Sequence, residues 1–366
     1  MQLWSRTQQQ DFRSRVRGCL LGGAIGDALG AGVEFLSLDA IRAEHGPKGV
    51  TGYVPAYERA GGAVTDDTQM TLFTAEGLIR AHVRRDTGAW HPPTDVHRAY
   101  LRWAATQKEW GPDERQPGLG WLAREEWLYA RRAPGGACLS GLEDDVMGTL
   151  ERPKNPGSKG CGTVMRSAPF GLLAGWDPGL VFQLAVECAV LTHGHPTGYL
   201  AAGAFAVLVH TVVRGGTLQE GVHTALHMLA DRPGHEETTA ALGRALDAVR
   251  AGTPSAERVE TLGAGWVAEE ALAIAVYCAL VAEDVRGGLL LAVNHSGDSD
   301  STGSLCGNLL GVAHGETALP GDLLAELEGR GTIAVLADDF ATEMTHGPEL
   351  HAPGTSGAWI RRYPPE

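Results

Sequence analysis

The sequence predicts an all-α, single-domain protein built from many medium-length helices. Helical periodicity dominates: Leu272, Ala275, Val276, Ala279 and Leu280 fall at i, i+3, i+4, i+7 and i+8, on one helical face. Helix-start residues recur ahead of such stretches, and few segments alternate apolar and polar residues as a half-buried strand would. No Ser- or Pro-rich linker divides the chain, and no period of roughly 20 to 50 residues repeats. One helical domain is expected over residues 11–345, followed by an irregular tail over 346–366.

In chain order, the first element is a helix with Gly18, Gly22, Gly26 and Gly30 along one edge. Each glycine weakens a helix by roughly 1 kcal/mol relative to Ala, so the stripe serves close helix packing or close approach to a ligand. Ser37 predicts a helix from Leu38 to His45, with Gly46 as its stop. Val64-Thr65-Asp66-Asp67-Thr68-Gln69-Met70 opens a helix that turns Leu72, Ala75 and Ile79 inward. Thr94 marks a start for a helix over 95–107. Residues 111–162 are rich in Gly, Pro and Arg around a Trp-bearing stretch at 119–129, which reads as long loops around one or two helices covering the active-site face. Gly194 and Pro196 predict a helix-to-helix corner, with His193 at the end of the first helix, and Thr217 precedes a helix over 218–230.

Composition narrows the function. Hydrophobic residues make up 43% of the 366 and charged residues 20%, which is globular rather than disordered. A formal net charge of -14 argues against general affinity for phosphate backbones or anionic membranes. An anionic ligand would need bound cations, helix N-termini or backbone N–H groups. Cys19, Cys138, Cys161, Cys188, Cys278 and Cys306 are scattered, with no C-x-x-C pair, which predicts reduced thiols in a cytoplasmic protein and argues against zinc. The N-terminus lacks the apolar core of a signal peptide, and the longest apolar run, 198–213, is short and followed by Arg214, so no membrane span is expected.

Four segments carry candidate chemistry. Thr65, Asp66 and Asp67 place two adjacent carboxylates at a helix start, although acidic residues behind a Thr cap are also what the helix dipole favours. Asp298, Asp300 and Ser301 repeat that logic in a Gly-containing loop, where solvated carboxylates are the plainer reading and hard-cation ligands the sharper one. If the two clusters meet, their oxygens could hold two ions about 3.5 to 4 Å apart. Ser158 to Arg166 is a glycine-rich loop feeding a helix, a possible pyrophosphate cradle or an ordinary helix start, and it does not match a Walker loop. His193 and His195 form an H-x-H that could contact a ligand, but helix-corner histidines are the commoner case.

Five ordered segments resemble the ADP-ribosylglycohydrolase family: GCLLGGAIGDALG at 18–30, VTDDT at 64–68, SKGCGTVMR at 158–166, THGHP at 192–196 and GDSDSTG at 297–303. The resemblance spans about Arg17 to Gly315. It implies an orthogonal bundle around two divalent cations, Mg2+ or Mn2+, held by Thr65, Asp66 and Asp67 on one side and Asp298, Asp300 and Ser301 on the other. Position 301 is commonly Thr in the family, and Ser keeps the oxygen ligand. The resemblance further implies catalytic roles for Asp66, Glu34 and Asp300, ADP-ribose contacts from Gly162, Thr163, Arg166, His193 and His195, and a bracing role for Asp27. The expected reaction is hydrolysis of the N- or O-glycosidic bond joining ADP-ribose to an acceptor, with mono-ADP-ribosyl-arginine on protein as the leading substrate. A two-metal phosphohydrolase and an inactive ADP-ribose-binding or structural protein are the alternatives. Expected partners are an ADP-ribosylated protein or small molecule, with nucleic acid only as an ADP-ribosylated substrate, acting on a monomer.

Overall fold

The computed structural model describes residues 4–85, 90–113, 120–352 and 354–365; among these, the only β-type pairings are isolated bridges. The expected all-α, single-domain bundle is what forms. Its first helices are α1 (Arg6–Gly30), α2 (Leu38–His45), α3 (Asp66–Arg85), α4 (Pro92–Thr106), α5 (Gly136–Gly141) and α6 (Ala168–Gly171). The middle of the chain forms α7 (Pro178–Ala189), α8 (Pro196–Val213), α9 (Leu218–Leu229), α10 (Glu236–Arg250), α11 (Ala256–Glu260) and α12 (Ala268–Val281). The remainder forms α13 (Val285–Val293), α14 (Ser299–His314), α15 (Gly321–Glu326), α16 (Arg330–Leu350) and α17 (Ala358–Arg362).

The glycine stripe on α1 resolves into packing. A side-chain carbon on Gly18, Gly22 or Gly26 would overlap the carbonyl of Gly311, Gly307 or Gly303 of α14, and the reverse holds for each α14 glycine. The two helices run antiparallel with their backbones in contact, the closest approach α-helices can make. The end of α1 therefore lies against the start of α14, where Gly30 touches the backbone of Ser299 and Asp300. Around this pair, Ile25, Leu29, Phe73, Ile79, Trp103, Phe205 and Leu305 are buried in one continuous core.

Several helix starts follow the local cap signals. Ser37 caps α2, and Thr217 caps α9 in a capping box with Glu220. The apolar helix α8 is long and apolar enough to cross a membrane, but 83% of it is buried inside the protein, so its apolar surface is satisfied by the core. Two expectations need correction. Thr94 does not start α4: Pro92 and Pro93 occupy the first turn, where a missing N–H costs nothing, and the cap position moves back to His91. The tail is not irregular throughout, since α16 runs to Leu350 and α17 follows. Tertiary anchors hold it, with Trp359 Nε1 donating to Glu343 at 2.7 Å, and Tyr363 Oη and Arg362 donating to Asp339 at 2.6 Å each. At the 119–129 stretch Leu119 lies outside the described residues; two 3-10 turns, Leu122–Arg124 and Glu126–Leu128, occupy the rest.

Gly307→Val is expected to lower stability by about 2–3 kcal/mol or more in denaturant unfolding, because a backbone rather than a flexible side chain must move. Gly243→Ala on α10 has open space around it and should raise stability by up to about 1 kcal/mol. Equal, small effects at both sites would contradict the close α1–α14 contact.

Candidate active site

The first acidic corner is the start of α3, and it is held from α1. Asp27, fully buried, accepts from the Thr65 N–H at 3.0 and 3.1 Å, the Thr68 N–H at 3.1 Å and the Thr68 hydroxyl at 2.5 Å. Asp27 thus satisfies N–H groups that a local cap would otherwise take. Thr65 Oγ1 is engaged only loosely, accepting from the Asp67 N–H at 3.4 Å. Asp66 accepts from the Gly135 N–H at 3.1 Å, and Asp67 Oδ1 is buried with no hydrogen-bond partner.

The second corner is the loop ahead of α14. Asn294 grips Val50 through both backbone groups, at 2.8 and 3.0 Å. Gly297 sits at φ 123°, and a Cβ there would overlap the Ala264 carbonyl, so this turn requires glycine. Asp298 N–H donates to that same carbonyl at 2.8 Å, and His295 Nε2 lies 2.8 Å from Thr302 Oγ1. Asp298 Oδ2 accepts from the Cys161 thiol at 2.7 Å, and Asp300 Oδ1 accepts from the Ser301 N–H at 3.0 Å.

Glu34 joins the two corners. It follows α1 in a turn whose next residue, Phe35, has a left-handed backbone, and backbone bonds link Phe35 and Leu36 to Gly297 at 3.3 and 3.4 Å. Carboxylate oxygens of Glu34, Asp298 and Asp300 lie within 4.8 Å of one another, a group that could hold a metal ion. Glu34, Asp66, Asp67, Asp298, Asp300 and Ser301 line one cavity of about 390 Å³, within the range of ligand pockets. Gly160, Cys161, Gly162 and His193 also line it, with the Cys161 thiol against Asp298, and at the rim the Phe35 and Trp266 rings stack with centroids 5.1 Å apart.

Among the described residues lining this cavity none is Lys or Arg. Burial, then repulsion from neighbouring carboxylates, pushes Glu34 up to about 10 and Asp27 up to about 7. Asp66, Asp67 and Asp298 are raised well above their ordinary value, with burial the leading cause in each. A hard divalent cation fits such a set: the donors are oxygens, Asp67 Oδ1 and Glu34 Oε2 lack protein partners, and a cation would offset the crowded negative charge.

The predicted residues divide into two groups. Asp66, Asp67, Asp298, Asp300, Ser301, Glu34, Gly162 and His193 line the cavity, with Thr65 buried directly behind. Thr163, Arg166 and His195 do not line it. Thr163 donates to Gly198 O at 2.8 Å, Arg166 is buried behind the wall, and His195 caps α8 by accepting from the Thr197 N–H at 3.2 Å. The glycine-rich loop opens no long helix either, only a 3-10 turn at Cys161–Thr163 followed by the four-residue α6. His193 stands in the corner between α7 and α8, four residues past the end of α7. Sequence reasoning missed Phe35, Trp266 and the thiol of Cys161, whose places depend on contacts more than 100 residues apart.

Known proteins similar to this chain identify its family. The family described as ADP-ribosylglycohydrolase matches residues 8–349. The ADP-ribosyl-(dinitrogen reductase) glycohydrolase of Rhodospirillum rubrum is 26% identical over 86% of this chain and 90% of its own length. The ADP-ribosylarginine hydrolase Tri1 of Pseudomonas putida (strain GB-1) is 25% identical over 92% of this chain and 81% of its own. A solved structure described as an ADP-ribosylglycohydrolase-related protein complex superposes with a TM-score of 0.65 and 26% identity, covering 92% of this chain and 99% of that one. The chain belongs to the ADP-ribosylglycohydrolase family, whose members hydrolyse bonds between ADP-ribose and an acceptor.

The raised carboxyl groups set a pH dependence. Unfolded carboxyls ionise near about 4, whereas Glu34 in the fold does so at about 10, so over that interval the metal-free fold keeps protons the unfolded chain has lost, and stability falls as pH rises. The metal-free Tm should therefore drop between about pH 7.5 and pH 9, above the histidine range, and added Mg2+ or Mn2+ should raise it. A metal-free Tm that climbs over this interval, or one indifferent to both ions, would contradict the cluster as described.

Proposed function

We propose that this member of the ADP-ribosylglycohydrolase family hydrolyses the N- or O-glycosidic bond joining ADP-ribose to an acceptor, with mono-ADP-ribosyl-arginine on protein as substrate, and releases ADP-ribose. The observation that carries the reading is the meeting of Asp66, Asp67, Asp298, Asp300, Ser301 and Glu34 in one cavity of ligand size. Arginine as the acceptor is supported by the Pseudomonas putida relative, which is named an ADP-ribosylarginine hydrolase. Thr65, Asp66, Asp67, Asp298, Asp300 and Ser301 would hold two divalent cations, Mg2+ or Mn2+. When bound, such ions supply Lewis acidity that activates water and orients ribose hydroxyls.

The chain's own groups account for the rest. Glycoside cleavage develops positive charge at the sugar C1 carbon, and the carboxylates of Asp66 and Asp300 provide fixed negative charge where that carbon would sit. Glu34 Oε2 has no protein partner and is raised by burial, which suits it to hold a proton and pass it to the departing acceptor. Gly160 and Gly162 keep their stretch of the wall free of side chains, so a diphosphate can approach backbone and His193 there. The Phe35–Trp266 stack covers the rim and limits water entry beside the reacting bond.

Asp66→Ala and Asp300→Ala should each reduce release of ADP-ribose from ADP-ribosyl-arginine protein by at least about 10²-fold, with helical circular dichroism retained. Chromatography of the products separates the readings. Intact ADP-ribose supports the glycohydrolase, AMP or inorganic phosphate would make the protein a phosphohydrolase, and unchanged turnover in either variant would remove these carboxylates from the mechanism.

A further inference from the structure

Arg166 is only 1% exposed, and among the described residues its hydrogen-bond partners are Met70 Sδ, Cys138 Sγ, Cys188 O and Thr192 Oγ1, none of them a carboxylate. A buried guanidinium without a counter-ion is costly, so its hydrogen bonds must account for it. Arg166 Nη2 donates to Thr192 Oγ1 at 2.6 Å and more weakly to Cys188 O at 3.4 Å, while the guanidinium lies 4.4 Å over the Tyr100 ring. Thr192 is fully buried, and its Oγ1 lies 2.8 Å from His193 Nδ1.

These contacts favour one arrangement of protons. Arginine has no acceptor, so Thr192 Oγ1 must accept from Arg166, which leaves its single hydroxyl proton for another group. The candidates are His193 Nδ1 at 2.8 Å and Ala189 O at 3.4 Å, and the shorter contact is much the better hydrogen bond. With Nδ1 accepting, a neutral imidazole carries its proton on Nε2. The ring is neutral, because burial and the nearby Arg166 push His193 down to about 3. The Nε2 edge of the ring faces the glycines of the cavity wall: a Cβ on Gly160 would sit 3.3 Å from Nε2, and one on Gly162 3.0 Å from Cε1 and 3.2 Å from Nε2, and among the described residues no protein atom hydrogen-bonds Nε2.

We infer that Arg166 and Thr192 are positioning residues that fix His193 as its Nε2–H tautomer, so that the cavity presents a neutral N–H donor to an anionic oxygen of the ligand. Under the reading above, on which this part rests, that oxygen belongs to the diphosphate of ADP-ribose. The positive charge of Arg166 acts from behind, through the threonine hydroxyl, and never enters the cavity. Arg166 thus serves ligand binding without touching ligand, in place of the direct contact implied by the family resemblance.

Long-range proton–nitrogen NMR of the His193 ring in the wild-type protein at neutral pH tests the tautomer directly and needs no variant. A proton on Nε2 is expected; a proton on Nδ1, or a charged ring, would overturn the assignment. Calorimetric titration with ADP-ribose then tests its use. Thr192→Val, which keeps shape but has no hydroxyl, should weaken binding roughly ten- to a hundredfold, while Thr192→Ser stays within about threefold of wild type. In turnover the valine loss should fall mainly on KM rather than kcat. Wild-type affinity in Thr192→Val would overturn the proposal. Intact binding and tautomer in a protein that releases no ADP-ribose would support the relay while defeating the hydrolytic reading.

Discussion

Gly18, Gly22 and Gly26 of α1 lie against Gly311, Gly307 and Gly303 of α14 so closely that any side chain between them would strike a carbonyl, and the placement of the site follows from that contact. Because the helices run antiparallel, the C-terminal end of one meets the N-terminal end of the other. Glu34, four residues beyond α1, and Asp300, in the first turn of α14, therefore enter the same space. Asp27 extends the effect to a third helix by tying the start of α3 to α1. A packing device distributed over more than 290 residues of chain thus sets the geometry of the acidic cavity.

The acidic cavity is the electrostatic consequence. Asp66, Asp67, Asp298 and Glu34 are withdrawn from water beside one another, with no Lys or Arg among the described residues of the cavity wall, an arrangement that a folded protein tolerates only with protons or cations present. The scaffold around them is rigid where it matters: Asn294 clamps Val50, Gly297 makes a turn only glycine permits, and Phe35 and Leu36 pair with Gly297. A cation held by Glu34, Asp298 and Asp300 would add to the stability of this corner.

Much of this was legible in the sequence because the informative features were local. Capping residues such as Ser37 and Thr217 announce helix starts from a few neighbours, and the glycine spacing on α1 already implied a close approach along one edge. The acidic segments at 65–67 and 298–301 could be named as candidates, although each alone also fits an ordinary helix start or solvated loop. What the sequence could not show was tertiary. Arg166 sits in a ligand-like motif yet points at Thr192, His195 is used by its own helix, and the Phe35–Trp266 stack joins residues with no local relation. The order of the tail is tertiary as well, since it comes from Asp339 and Glu343 on the preceding helix rather than from its own composition.

On the proposed function, the early and late acidic corners share a pair of cations. Electron paramagnetic resonance of the metal-free protein titrated with Mn2+ measures this most directly, since two manganese ions held about 3.5 to 4 Å apart couple magnetically and give a spectrum distinct from isolated ions. A coupled signal that saturates at two ions per chain and is lost in Asp67→Asn and in Asp298→Asn is expected. A single uncoupled ion, or a signal indifferent to both substitutions, would contradict it.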